Sequence, residues 1–342
     1  MGAAKWRLMN ATQERASKRP VVFITGANGF IGRALGAYFS DKGFAVRGVD
    51  RGADPARFVV AGDIVDPSPW QAQLEGCAVV VHTAAVVSNA VPAVQQWQIN
   101  VLGTRRVIEA AARAKVGRVV HLSSVRAYGD LGFPDTVEES WPLRPDGHAY
   151  VDTKVASEAV AFQAHAAGEV AVTIVRPGDV YGPGSRPWTI IPVEWTKNGR
   201  FILPAGGKGV FSPVYIDDLV EGIFLAATHP DAAGHAFNLP GPEPVTCAEF
   251  FGHYARMLGM APQRTVPTAV AIGLATVVGT ADRVRGRASE LNAAIVLYLT
   301  RTGGYSRVKA ERVLGWVPRI SLDVGMSRTE AWLRAEGHLT RT

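Results

Sequence analysis

Short apolar, β-branched runs recur along the first half of the chain, each followed by apolar positions at helical spacing. V-V-F-I-T (21–25) leads into Ile31, Leu35 and Tyr38. A-V-R-G-V-D (45–50) and R-F-V-V-A-G-D (57–63) read as the second and third strands. C-A-V-V-V-H-T (77–83) is apolar at successive positions, the pattern of a strand covered on both faces. A helix is predicted over 92–114, followed by the strand R-V-V-H-L-S-S (118–124). A helix around 150–166 then precedes V-A-V-T-I-V-R (170–176). This alternation predicts an α/β fold, a Rossmann-type doubly wound parallel sheet.

The rhythm breaks after Arg176. Residues 177–213 are rich in proline, glycine and aromatics. Helices are expected near 216–228, 247–258 and 266–278. We therefore expect a nucleotide-binding domain over 20–176, to which a later strand returns, and a smaller, mainly substrate-binding region over 177–342.

At 47% hydrophobic, the 342 residues support a large core. Cys77 and Cys247 are too few for a disulfide framework, so a reducing, cytoplasmic setting is the simplest expectation. The net charge is +6, and residues 1–19 read as a basic arm. No Lys/Arg run is interleaved with aromatics, so nucleic-acid binding has little support. The apolar stretch 266–280, followed by Arg283, Arg285 and Arg287, falls short of the ~18 residues that span a bilayer. It reads as a buried helix, a lid or a peripheral membrane contact. His82, His121 and His148 lack the clustered spacing of metal ligands, and no metal is expected.

T-G-A-N-G-F-I-G places Gly26, Gly29 and Gly32 between the first strand and the first helix. Glycines let a pyrophosphate approach the helix N-terminus, where free N–H groups and the dipole favour an anion. Asn28, Phe30 and Ile31 complete this turn. Asp50, ending the second strand, can accept from both adenosine ribose hydroxyls and repels a 2′-phosphate. This favours NAD over NADP, although Arg51 could hold a phosphate or stack on adenine. Asp63 could take the adenine amino group beside Ile64, or serve simply as a turn residue.

In A-Y-V-D-T-K, Tyr150 and Lys154 share one helix face. Alone this is a chance-level match. The glycine loop, Asp50, Asp63, H-T-A-A (82–85), I-N-V-L-G-T (99–104), L-S-S (122–124), Y-V-D-T-K (150–154) and R-P-G-D-V-Y-G-P-G (176–184) occur in order. Together they resemble the extended short-chain dehydrogenases/reductases, the group of nucleotide-sugar epimerases, dehydratases and 3β-hydroxysteroid dehydrogenases. The resemblance implies that Ser124, Tyr150 and Lys154 are catalytic and that Tyr150 and Lys154 also contact the cofactor, Lys154 reaching the nicotinamide ribose. It also implies that Thr83, Ala84 and Ala85 line the cofactor, that Asn100 supports the central helix near Lys154, and that Pro177, Gly178 and Val180 border the nicotinamide. It further implies a homodimer through the 92–114 and 150–166 helices.

A phenol of pKa ~10 is a poor base at neutral pH, and a nearby ammonium stabilises its anion. Tyr150 is thus expected to move the hydroxyl proton and Ser124 to orient the substrate oxygen. Tyr128 is a weaker rival base because no lysine follows it at i+4. Sugar-active members carry an arginine near the position of Phe211, and often asparagine at that of Asp179. Val125 and Arg126 stand where dehydratases carry an Asp-Glu pair. Trp188, Ile190, Ile191, Trp195 and Phe201 could line an apolar pocket. Arg126, Asp179, Trp188 and Phe211 are therefore candidate substrate residues, while Arg186 and Lys208 remain candidate phosphate contacts. The expectation is an NAD-dependent enzyme interconverting a secondary alcohol and ketone, on an apolar or steroid-like small molecule. The alternative is a nucleotide-sugar 4-epimerase with tightly bound NAD.

Overall fold

The computed structural model describes residues 19–88, 90–129, 135–286 and 292–339, so residues 1–18 of the basic arm and Arg287 lie outside them. The described residues contain a seven-stranded parallel sheet. Its strands are β1 (Val21–Thr25), β2 (Ala45–Asp50), β3 (Val59–Ala61), β4 (Val79–His82), β5 (Arg118–Leu122), β6 (Val172–Pro177) and β7 (Ala236–Leu239). The order across the sheet is β7-β6-β5-β4-β1-β2-β3. The strand order reverses at β1, between β2 and β4, which opens a crevice at the carboxyl ends of the strands. The returning strand β7 pairs with β6, Phe237 opposite Val175.

Successive strand residues enter opposite layers. Val22, Ile24, Val79 and Val81 pack with Leu35, Phe39, Leu219 and Ile223 on one face. Phe23, Val49, Val80 and Val119 pack with Val107, Ile108, Ala161 and Ala164 on the other. Each buried Val, Leu, Ile or Phe among them contributes roughly 1.5–3 kcal/mol by leaving water, and the alanines less. That double coverage is why these strands read as unbroken apolar runs.

Two elements depart from expectation. β3 is shorter than 57–63: Pro55–Arg57 forms a 3₁₀ turn and Phe58 has φ 56°. The helix expected over 92–114 has three parts, α1 (Ala93–Trp97), a π-helical stretch Gln98–Gly103, and α2 (Thr104–Arg113). Such wide turns occur disproportionately at functional sites, and this one carries Asn100. The catalytic candidates Tyr150 and Lys154 lie on α3 (Ala149–Ala166).

Beyond the sheet, Thr246 and Glu249 form a reciprocal capping box at the start of the helix Cys247–Met257. The apolar segment predicted near 266–280 lies in the helix Thr268–Val284. Ala271 and Ala275 are buried, whereas Val270, Leu274, Val277 and Val278 are exposed. Among the described residues no helix is long and apolar enough to cross a membrane.

Candidate active site

β1 ends at Thr25 and the chain turns at Gly26 with φ +69°. A Cβ on Gly26 would lie 2.9 Å from Ala84 N and Thr83 Oγ1. One on Gly32 would lie 2.1 Å from Gly26 O, so the helix Phe30–Asp41 seats directly on the turn. Gly29 caps that helix with no side-chain hydrogen bond. Its first-turn N–H groups therefore have no side-chain cap, as an anion site requires. Asp50 Oδ2 accepts from Asn28 N (2.8 Å) and Oδ1 from Arg51 N (2.7 Å). The carboxylate thus holds the end of β2 against the glycine loop. These features fit a dinucleotide: close backbone approach, a helix N-terminus and a carboxylate at the adjoining strand end. Gly32→Ala is expected to weaken NAD binding by at least about tenfold, since backbone on both sides must move. Isothermal calorimetry with NAD checks this, and unaltered affinity would show that the turn can yield.

Two arginines at this loop escaped the sequence reading. Arg57 donates to Ala27 O (2.5 Å) and Asn28 Oδ1 (3.3 Å), and Arg33 Nε donates to Asn28 O (2.9 Å). The fold brings Arg57 to the loop, whereas Arg33 reaches it from the first turn of the adjoining helix. The Asp63 carboxylate accepts from Val65 N at 2.9 Å, which is the turn role weighed for it. The Ile64 side chain is buried against Gly103, so only its backbone could face a cofactor.

Thr83 and Ala84 follow β4 against the same turn. Thr83 Oγ1 donates to Thr25 O (2.7 Å), and Ala84 N donates to Thr25 Oγ1 (3.2 Å). Ala85 is half-buried beside them. Asn100, buried in the π-helical stretch, accepts from Val86 N (2.7 Å) and donates to Val86 O (3.0 Å) and Thr153 Oγ1 (3.0 Å). One side chain thereby ties the loop after β4 to the helix bearing Tyr150 and Lys154.

Ser124 follows β5, and its Oγ accepts from Arg126 N at 3.1 Å. The Lys154 ammonium lies 5.9 Å from the Tyr150 ring centroid and donates to Leu122 O at 2.8 Å. The fold thus brings all three candidate catalytic residues to the end of β5. Burial pushes Lys154 down to about 8, opposed by Glu158. His82 and His121 stack nearby at 5.4 Å. His82 bonds Thr25 and Thr104, while His121 bonds Ser157, whose hydroxyl donates to Lys154 O. Burial first, then the Lys154 charge, holds His82 down to about 3 and His121 well below the usual range. Both are therefore neutral packing groups at ordinary pH. Among the described residues no three metal-type ligands come together.

The depressed Lys154 value has a consequence for stability. Below about pH 8 the ammonium is charged both folded and unfolded, and its burial cost is fully present. Between about 8 and 10.5 the folded chain releases the proton first, so this group's contribution to stability rises with pH. Lys154→Met is therefore expected to raise Tm at pH 7 while removing activity. Its advantage should shrink across that window. A Tm advantage independent of pH would contradict the assignment.

Tyr128 is not a rival base. It is fully buried, donates to Asn238 Oδ1 (2.8 Å) and accepts from Arg176 (2.6 Å). Burial pushes it up to about 12. It belongs to a network in which Arg176 makes two bonds to Glu158 (2.6 and 2.9 Å), and Ser123 Oγ donates to Glu158 at 2.5 Å. This network pins the end of β5 to α3.

Pro177 ends β6, and Gly178 and Val180 continue past it at the carboxyl edge of the sheet. A Cβ on Gly178 would lie 2.4 Å from Ser212 O, so glycine is required by close packing. Two candidate substrate residues, Asp179 and Phe211, lie in buried contacts. Asp179 is buried, accepting from Ser212 N (3.0 Å), Arg301 (3.2 Å) and the Tyr298 hydroxyl. Burial pushes it up to about 6, with Arg301 opposing. Phe211 is fully buried, 4.4 Å from Phe250 and 4.9 Å from Trp188 between ring centroids. Trp188 is half-buried and stacks on Tyr298 at 5.6 Å. Arg126 lies over the rings of Tyr150 (5.6 Å) and Tyr298 (4.7 Å). Tyr298 and Arg301, more than a hundred residues after Tyr150, carry no local motif that would announce them.

Residues 22–239 match the model of the NAD dependent epimerase/dehydratase family, and the chain belongs to that family. Among known proteins it is 28% identical to 4-hydroxy-2-methyl-3-oxo-4-farnesyl-3,4-dihydroquinoline-1-oxide ketoreductase of Stigmatella aurantiaca, over 89% of this chain and 94% of that one. It is 29% identical to 3 beta-hydroxysteroid dehydrogenase/Delta 5-->4-isomerase of Mycobacterium tuberculosis, over 67% of each chain. It is also similar to the structure of MoeE5 in complex with UDP-glucuronic acid and NAD, with a TM-score of 0.74, 27% identity, and 92% and 99% of the two chains covered.

Proposed function

We propose that this protein interconverts a secondary alcohol and a ketone by hydride transfer, with NAD as cofactor and Tyr150 as the acid–base residue. The observation that carries the reading is Tyr150 and Lys154 on one face of α3, beside Ser124 at the end of β5. Gly26 to Gly32, Asp50 and the Thr83–Ala85 segment would hold NAD, which supplies or takes the hydride. The chain's own work is to move a proton and orient an oxygen. In oxidation Tyr150 takes the hydroxyl proton, its anion stabilised by the Lys154 ammonium. In reduction it returns that proton. Ser124 Oγ orients the substrate oxygen through a hydrogen bond.

The apolar or steroid-like substrate class is supported by the dehydrogenase and ketoreductase relatives and by Trp188 beside Tyr298. The likeness to a protein crystallised with UDP-glucuronic acid favours the second reading, a nucleotide-sugar 4-epimerase retaining NAD. A panel of sterols, secondary alcohols and ketones with NAD and NADP, followed at 340 nm, separates them. Absence of any NAD-linked change, with epimerised UDP-sugar instead, would overturn the first.

The proposed homodimer would use α1, α2 and α3. Val94 and Trp97 on α1 are 72% and 44% exposed, an apolar pair that a partner would cover. Trp97→Glu is then expected to halve the solution mass by light scattering. A monomeric wild-type protein would reject the dimer.

A further inference from the structure

We propose that His121 is a positioning residue for Lys154: through Ser157 it fixes the helix turn from which the ammonium reaches Tyr150. This rests on the reading of Tyr150 and Lys154 as the proton-transfer pair. Both ends of Lys154 are tied to two successive residues of β5. Its Nζ donates to Leu122 O at 2.8 Å. Its carbonyl accepts from Ser157 Oγ at 3.0 Å, and that oxygen lies 3.0 Å from His121 Nε2. A lysine stem is long and flexible. This closed circuit holds its root and its tip against one strand end. Lys154, Ser157 and His121 are all buried.

The partners assign the hydrogens. Ser157 has one hydroxyl proton, and it goes to Lys154 O. Ser157 Oγ therefore accepts from His121 Nε2–H. His121 Nδ1 is left as a bare buried acceptor among the described residues. The other tautomer would bury an unpaired N–H, the rarer outcome in proteins. His82 stands opposite His121 in the register of β4 and β5, and the two rings stack with 26° between their planes. Thr104 Oγ1 donates to Asn100 O (2.6 Å), so it accepts from His82 Nε2–H (3.0 Å). Thr25 Oγ1 accepts from Ala84 N and donates to His82 Nδ1 (2.7 Å). The stacked imidazoles thus link the glycine turn, Asn100 and the Lys154 turn. His121 contributes a ring and one N–H donor. Phenylalanine would supply the ring alone, and glutamine the donor alone.

The ionisable groups about Lys154 come from three elements. Tyr150, under Arg126, and Glu158, paired with Arg176, lie on α3, and the two histidines lie on β4 and β5. Burial keeps both imidazoles neutral, so they hold the turn without setting a second cation beside the ammonium.

The test follows Ser157→Ala and His121→Phe in the full chain with NAD. Each is expected to lower kcat for alcohol oxidation about tenfold, the weight of one hydrogen bond, with the KM of NAD and alcohol within about twofold. The rise of kcat with pH, as Tyr150 loses its proton, should move up by about 0.5 to 1, because a displaced ammonium stabilises the phenolate less. The double variant should be no worse than either single one, since both cut the same link. His121→Gln, which keeps a donor, should recover part of the loss. Nuclear magnetic resonance of protein with isotope-labelled lysine, assigned by Lys154→Met, reads the change without turnover. The Lys154 titration should move up from about 8 as the ammonium escapes burial. Should His121→Phe fail to fold, Ser157→Ala, smaller by one oxygen, carries both measurements. A Lys154 titration unmoved in Ser157→Ala, or a double variant that adds the two losses, would overturn the proposal. If alcohols react through Tyr150 while that titration is unmoved, the redox reading stands and this one falls. If the titration moves but no alcohol or ketone reacts, the reverse holds.

Discussion

Tyr150→Phe is expected to lower turnover by roughly 10²- to 10⁴-fold while NAD binding persists. The substitution removes one hydroxyl and leaves the ring that packs beside Lys154 and Arg126. Among the described residues at the end of β5, none is placed to take over. Ser124 is not a base at neutral pH. Tyr128 is pushed up to about 12 and is hydrogen-bonded to Arg176 and Asn238. Lys154 donates to Leu122 O from a buried position. The glycine loop and Asp50 lie on other elements, so cofactor affinity should change less than about threefold. Single-turnover kinetics at 340 nm and calorimetry with NAD check the two halves separately. Turnover within a few-fold of wild type would remove Tyr150 from the chemistry, whereas loss of NAD binding would make the effect structural.

Arg176→Met is expected to destabilise the fold by about 3–5 kcal/mol, because it strands a carboxylate in the interior. Glu158 is 1% exposed and its partner 4%. The guanidinium makes two bonds to that carboxylate and one to the Tyr128 hydroxyl. Without it, among the described residues Glu158 keeps the Ser123 hydroxyl as its hydrogen-bond donor and the buried Lys154 ammonium as a neighbouring charge. The double variant Glu158→Gln/Arg176→Met should recover much of the loss, since no unpaired charge remains. Urea unfolding with both variants checks this. A loss below about 1 kcal/mol for the single variant would mean that solvent reaches Glu158. Because the same pair joins β6 to α3, the single variant should also lose activity out of proportion to its unfolded fraction.

The sheet was legible because every strand buried on both faces must be apolar at successive positions. β1, β4, β5 and β6 therefore announced themselves, whereas β2, only partly buried, was marked by Val46 and Val49 ahead of Asp50. β3 did not announce its length, since an edge strand has one neighbour and its ends yield to local turns such as Pro55–Arg57. The π-helical stretch was invisible because it keeps helical composition while changing hydrogen-bond spacing. The catalytic candidates stood out through order and spacing along the chain. The packing of the substrate candidates was not legible: Phe211 and Trp188 look alike in sequence, but Phe211 is fully buried and Trp188 half-buried.

The sequence by itself determined the parallel α/β class, the glycine turn, the strand-end Asp50, and the placement of Tyr150 and Lys154 on one helix face. These follow from local rules: side-chain period, glycine conformation and helical repeat. Only the tertiary structure decided that Asp179 is bound by Arg301 and Tyr298, that Tyr128 is locked beside Arg176, and that Arg126 lies over Tyr150. Those partners come from segments separated by tens to more than a hundred residues. Which side chains share a buried space is set by how helices and strands pack, and no local pattern records it.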